Sequence, residues 1–266
     1  MVRDAVRQGI ARTRRIETGC THGFKDRAVA NEFCEPGTTG YPKWTTVDAM
    51  SWKLAPEWAG GGAPRLFAYK DGWIKYNAKT IKAAAARHNI PPILLASVAW
   101  AEAGGMPDFV DDVAFSVRSF DWSGPDWIDK HLTITSTPAK TSFGSVSMQL
   151  RVAARELGVD PETLSYSRQH DLAVCLETDV FNLEIVARHL HGLILFDYPK
   201  ADTLNLTDEQ FVIVGSRYNR GTSRKLADFV ASLAAKPDSP LREYTSYGRR
   251  MLQHRDRVQH LLGVVP

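Results

Sequence analysis

The chain has 266 residues, of which 44% are hydrophobic and 24% are charged, and its formal net charge is +3. This length and composition are typical of a globular protein that can bury a large core, as one domain or as one domain with an appendage. The mild positive charge is too small to indicate a nucleic-acid-binding protein, and no apolar run is long enough to span a bilayer.

Residues 1–76 are predicted to form a loop-rich N-terminal extension, because Gly, Pro and Trp are frequent there and turn-forming residues at this density favour irregular structure. Cys20 and Cys34 lie in this extension and could pair in an oxidising compartment. Together with His22 they also allow a metal site, although their spacing matches no recognised one. Cys175 is predicted to be a buried free thiol. We therefore expect no metal and no cofactor.

From residue 77 onward the apolar spacing predicts a helical domain that covers residues 77–266. Asn77 is expected to cap its first helix, and a capping box formed by Thr207 and Gln210 is expected to begin a later one. Residues 106–141 form a long irregular segment in which aromatic and acidic side chains alternate. Such a segment is typical of a binding lobe, and the alternative is a surface lobe held by its own aromatic side chains.

The stretch 90–105 predicts a buried helix that contains a single acidic residue, Glu102. Its prolines suit a first helical turn, nearly every face is apolar, and Gly104 and Gly105 suit a helix end. Helical spacing places Glu102 on the same face as Val98. Burial and the negative end of the helix dipole both favour a protonated carboxyl group, which a general acid requires. The alternative is a helix-end glutamate that reaches solvent past the glycines.

Two further motifs lie near the ends of predicted helices. Gly144, Met148 and Gln149 belong to a turn that leads into a helix, and the amide of Gln149 is expected to point inward, where a ligand could satisfy it. Tyr218 and Asn219 end a later helix.

The order of these three motifs resembles the lytic transglycosylase and goose-type lysozyme branch of the lysozyme-like superfamily. The resemblance covers residues 77–262 and implies a mainly α protein with a lysozyme-like helical domain. It implies that Glu102 is the general acid that protonates the glycosidic oxygen. The other residues implied to contact substrate are Met148, Gln149, Tyr218 and Asn219, with Tyr247 or Tyr244 as a late aromatic that closes the cleft. In the 106–141 segment, Trp122 is the expected sugar-stacking residue.

The chain departs from the family pattern in ways that bear on mechanism. Ala103 stands where transglycosylases often have Ser, and Leu150 and Arg151 stand where goose-type enzymes have an Asp. Hydrolysis by inversion would require a second carboxylate about 6.5–9.5 Å from the acid. The candidates are Asp112, Asp121 and Asp126. Without such a base, one Glu acts as acid and then as base while the 6-hydroxyl of the sugar attacks. The missing Asp favours this transglycosylase route.

The expected function is a muramidase that cuts the β-1,4 bond between N-acetylmuramic acid and N-acetylglucosamine in peptidoglycan. The alternatives are a non-catalytic module on the same fold, which binds glycan or a partner protein, and a chitinase-like hydrolase.

Residues 1–10 are charged and lack the apolar segment of a secretory signal peptide. We therefore expect export by another route, as a phage lysis protein or an antibacterial effector of a type VI secretion system. The protein would act in the periplasm or cell wall. If it is an effector, this would be the periplasm or cell wall of a target cell. The expected partners are peptidoglycan strands and a cognate immunity protein that occupies the cleft, with no nucleic acid and no membrane span.

Overall fold

The structure is a computed structural model that describes residues 31–35, 37, 40–104 and 142–263. In these ranges the chain is mainly α-helical, as the sequence predicts. The α-helices of the described ranges are α1 (Thr46–Leu54), α2 (Gly62–Arg87), α3 (Pro92–Glu102), α4 (Leu150–Glu156), α5 (Tyr166–Leu176), α6 (Asp179–Asp197), α7 (Asp208–Arg220), α8 (Leu226–Ala234), α9 (Ser246–Gln253) and α10 (Arg255–Leu261). Short 3-10 helices cover Glu57–Ala59, Pro161–Thr163 and Pro240–Thr245.

A two-stranded antiparallel ladder precedes α4. It joins β1 (Ser142–Phe143) to β2 (Met148–Gln149), with Ser142 opposite Gln149 and Phe143 opposite Met148. None of the helices that the structure describes is both long enough and apolar enough to cross a bilayer.

Helix α3 lies at the centre of the hydrophobic core. Residues 94–100 are all buried, and α2, α6, α7, α9 and α10 pack around the helix. Pro92 occupies the first helical position, and Gly104 adopts a φ of +74° just beyond the last turn, as predicted for the two ends. Because a helix surrounded by five others has no solvent-facing side, a charged residue fits only at its end, where Glu102 lies.

Helix α2 begins at Gly62, so the prediction that Asn77 caps the first helix of a domain is wrong. Asn77 is buried inside α2, and its side-chain amide donates a hydrogen bond to the Asp179 carboxylate over 3.0 Å. The boundary predicted at residue 76 falls inside this continuous helix. The glycines at 60–62 suggested a loop because glycine is a poor helix former, yet here they lie where the helix begins.

Cys34 and Cys175 form a disulfide bond between the segment before α1 and helix α5. The prediction that Cys175 is a free thiol is therefore wrong, and the pairing of Cys34 with Cys20 that the sequence left open does not occur. Cys175 is fully buried, as predicted. Cys20 and His22 lie outside the described residues. The two bonded cysteines are 141 residues apart in sequence, so no local pattern could pair them.

The C-terminal region approaches α3 through a close helix crossing. A Cβ atom on Gly248 would lie 1.9 Å from the carbonyl oxygen of Val212, so α9 packs directly on the backbone of α7. This contact places the preceding residue, Tyr247, in the core. Helix α7 itself begins with the predicted capping box, in which Thr207 and Gln210 each bond the other's backbone N–H.

Candidate active site

One cleft of about 530 Å³ brings the three sequence motifs together. Glu102 enters it from the end of α3, and the second motif contributes Gln149 beside the start of α4. Tyr218 and Asn219 line it from the last turn of α7. Three segments that lie far apart in sequence therefore face one space. Four predicted residues lie outside the described residues, namely Asp112, Asp121, Trp122 and Asp126.

Glu102 is half-buried, and its carboxyl group accepts a hydrogen bond from a phenol. The hydroxyl of Tyr247 donates a hydrogen bond to Oε1 of Glu102 over 2.6 Å. Tyr247 is only 8% exposed. Burial, and then the negative charge and hydrogen bond of Glu102, raise the pKa of Tyr247 well above its usual range. Tyr247 therefore stays protonated and remains a donor. The carboxyl group of Glu102 therefore has a fixed hydrogen-bond partner and lines the cleft.

Lys70 holds the end of α3 and was missed by sequence reasoning. Its Nζ donates to the carbonyl oxygens of Trp100 and Ala101, each over 2.8 Å. Burial lowers the pKa of Lys70 to about 8, an effect that the negative charge of Glu102 opposes. A cation at this position satisfies carbonyls at the negative end of the helix dipole. The sequence signal for Lys70 was its place between Phe67 and Trp73 on the inner face of α2, in the first half of the helix, which the sequence did not reveal.

The turn between β1 and β2 is fixed by side chains around the start of α6. The backbone N–H of Gly144 donates to Glu177 and that of Val146 donates to Asn182, each over 3.0 Å. Gly144 has a φ of +77°, and a Cβ there would lie 2.1 Å from the carbonyl oxygen of Leu176. Only glycine fits this position. The Gly of the second motif therefore sets the path of the chain toward Gln149.

A hydrogen bond from Tyr218 connects the third motif to the second. Its hydroxyl donates to the carbonyl oxygen of Val146 over 2.5 Å. Burial, and then the negative charge of Glu102, raise the pKa of Tyr218 well above its usual range. Tyr218 therefore stays protonated, and its hydroxyl forms a structural hydrogen bond to the second motif.

A buried ion pair fixes the end of α7, where Tyr218 and Asn219 lie. Arg217 contacts Asp197 through two hydrogen bonds of 2.7 and 2.8 Å. The two side chains are 1% and 3% exposed. Arg217 also donates to the carbonyl oxygen of Arg224 over 2.7 Å. Bidentate geometry and further hydrogen bonds compensate the desolvation of both charges, so the helix end is rigidly placed.

The remaining predicted residues of the cleft differ in how far they are buried. Met148 lines the cleft but is 2% exposed and belongs mainly to the core. Gln149 lines the cleft and is half-buried, so its side chain is not fully buried as the helical spacing predicts. Its Oε1 accepts a hydrogen bond from Arg151 over 3.0 Å. Asn219 is exposed on the cleft wall.

A second carboxylate in the cleft was not among the predicted ones. Glu156, the last residue of α4, lines the cleft together with His189 from α6. Nδ1 of His189 lies 2.9 Å from Oε1 of Glu156. The sequence signal was helical spacing, because Glu156 lies seven residues after Gln149 and so on the same face. Within the described ranges, no three or more His, Cys, Asp or Glu side chains are grouped so as to hold a metal ion.

Comparisons of this chain with protein-family models, with curated proteins and with solved structures found no match. The function of the protein is therefore inferred from the chemistry and geometry of the cleft.

Proposed function

We propose that this protein is a peptidoglycan-cleaving muramidase that cuts the β-1,4 bond between N-acetylmuramic acid and N-acetylglucosamine. The observation that carries the proposal is the half-buried carboxyl group of Glu102, which faces one cleft with Gln149, Tyr218 and Asn219. A cleft that combines one oriented acid with amide and phenol groups suits protonation of a glycosidic oxygen. A lysozyme-like fold is part of the proposal, supported by the buried helix that ends at this acid.

Tyr247 determines which oxygen of Glu102 can act. Because the phenol donates to Oε1, the acidic proton belongs on Oε2. From there it passes to the oxygen of the glycosidic bond as the bond from that oxygen to C1 breaks. The carboxylate that remains can then accept a proton from the attacking hydroxyl, which is the 6-hydroxyl of the sugar in transglycosylation or water in hydrolysis.

The disulfide supports action outside the cytoplasm. Bonds such as Cys34–Cys175 form and persist in oxidising compartments, including the bacterial periplasm. Expression directed to the periplasm of a bacterial host should cause lysis, whereas expression confined to the cytoplasm should not. Toxicity of the cytoplasmic form alone would contradict this assignment.

Digestion of purified sacculi, followed by mass spectrometry of the soluble products, tests the activity. The wild-type protein should release muropeptides, while Glu102→Gln should reduce release by about 1,000-fold or more and still sediment with sacculi. Glu162→Gln is the matched control, since Glu162 is exposed on a 3-10 helix away from the cleft and should retain full activity.

Three results would count against the proposal. Equal release by the wild type and Glu102→Gln would remove the acid role. Sedimentation with sacculi and no release by either protein would favour a glycan-binding module. Cleavage of chitin oligomers in preference to sacculi would favour a chitinase-like hydrolase.

A further inference from the structure

The cleft holds a histidine–carboxylate pair in addition to Glu102. His189 and Glu156 come from α6 and α4 and are 19% and 21% exposed, so both are largely shielded but open to the cleft. Nδ1 of His189 lies 2.9 Å from Oε1 of Glu156. Arg188 contacts the other oxygen of Glu156 at 3.6 Å. Both oxygens of this carboxylate therefore have cationic or donor partners.

The hydrogen bond fixes which nitrogen of His189 is free. A carboxylate can only accept, so Nδ1 carries the proton that it donates to Glu156, and Nε2 of the neutral ring keeps its lone pair. Among the described residues no group forms a hydrogen bond with Nε2. An imidazole held at one nitrogen by a carboxylate, with the other nitrogen free, is the arrangement of a general base.

His189 lines the same cleft as the acid. The centroids of the His189 and Tyr218 rings are 6.1 Å apart, and Tyr218 lies within the electrostatic influence of Glu102. His189 and Glu102 both line the cleft that Tyr218 also lines. An acid and a base that share one cleft can act on the same bond.

We infer that His189 is the general base that activates water in a hydrolytic reaction, and that Glu156 is its positioning residue. This inference rests on the proposed muramidase function. Glu102 gives its proton to the bridging oxygen, which leaves as the 4-hydroxyl of N-acetylglucosamine as its bond to C1 breaks. Water attacks C1 of N-acetylmuramic acid, and His189 Nε2 takes a proton from that water. The product is a reducing end, and the proton on His189 then returns to Glu102 through solvent.

The chain contains a second pair of the same type, which serves as a control. Nε2 of His88 lies 2.6 Å from Oε1 of Glu184 at the C-terminal end of α2. Arg87 also binds Glu184. This pair does not line the cleft of Glu102, so its loss removes a comparable hydrogen bond without removing the proposed base.

Digestion of sacculi in water enriched in ¹⁸O tests the inference by mass spectrometry, because hydrolysis places ¹⁸O at the reducing end and transglycosylation yields anhydro ends without label. The wild type should give labelled ends. His189→Gln should reduce them by about 100-fold while anhydro ends persist or increase, since Glu102 can still serve both steps. Glu156→Gln should reduce them by about 10-fold, because it keeps the hydrogen bond but removes its charge. His88→Gln should match the wild type.

Continued release of anhydro products by His189→Gln would show that this variant is folded. Unchanged labelled ends in His189→Gln would overturn the inference, as would a wild type that gives only anhydro ends; either result leaves the muramidase proposal in place. An equal fall of labelled and anhydro products would indicate that His189 binds substrate and would also overturn it. Failure of the wild type to release any product would instead refute the proposed function.

Discussion

Tyr247 and Glu102 are 145 residues apart in sequence, yet the phenol of one donates to the carboxyl group of the other over 2.6 Å. The contact depends on two neighbouring structures. Lys70 holds the end of α3, and Gly248 lets α9 approach α7 closely enough to place Tyr247 in the core. The acid is therefore positioned by groups that are not among the residues lining the cleft.

Replacing Tyr247 with Phe removes this donor and keeps the ring. Hydrogen bonds to charged groups contribute about 1.5–3 kcal/mol, so we expect kcat on sacculi to fall by about 10- to 100-fold. Rates of muropeptide release measure the effect. Tyr244→Phe is the control, because Tyr244 lies three residues earlier and its ring stacks on Arg224, a contact that Phe preserves. Equal rates for Tyr247→Phe and wild type would mean that the phenol does not orient the acid.

Replacing Tyr218 with Phe should mainly affect stability. The change leaves the carbonyl oxygen of buried Val146 without the donor that it has in the structure. An unsatisfied buried acceptor costs about 1–3 kcal/mol, and the free energy of unfolding should fall by that amount in urea titrations. A loss no larger than that of Tyr244→Phe would contradict this prediction.

The elements that the sequence predicted correctly are those with local signals. Helix α3 is apolar on all faces and has proline and glycine at its ends, and the start of α7 carries a capping box. Each signal lies within one or two helical turns, where backbone geometry alone determines the structure.

The features that the sequence did not reveal depend on contacts between distant segments. The bond between Cys34 and Cys175, the bonds of Lys70 to the end of α3, and the approach of His189 to Glu156 each join residues that are separated by 30 positions or more. No periodicity encodes such pairs. The start of α2 was missed for another reason, since its glycines are typical of loops.

Lys70 should make stability depend on pH in the alkaline range. Its pKa is about 8 in the folded protein and 10.5 is its ordinary value. Between these values the unfolded chain binds the extra proton, so the free energy of unfolding rises with pH. Below about pH 8 both states are protonated, and burial of the charge costs about 3 kcal/mol.

Urea titrations of wild type and Lys70→Met at several pH values measure this contribution as a difference. The wild type should gain stability relative to Lys70→Met between about pH 8 and about pH 10. Above that range the raised pKa values of Tyr218 and Tyr247 lower the stability of both proteins, because the folded state retains their protons, and this effect cancels in the difference. Lys75→Met, on the exposed side of α2, should follow the wild type. A difference that does not change with pH would contradict the prediction.

Reduction of the Cys34–Cys175 disulfide should destabilise the protein. The bond joins residues 141 positions apart, so it restricts the unfolded chain strongly, and its loss should lower the free energy of unfolding by about 2–4 kcal/mol. Urea titrations with and without reductant measure the change. The Cys34→Ser, Cys175→Ser double variant should have a lower free energy of unfolding than the wild type, and reductant should not change it. In Cys20→Ser, reductant should still lower the free energy of unfolding. Loss of reductant sensitivity in Cys20→Ser alone would show that a different pair of cysteines is bonded.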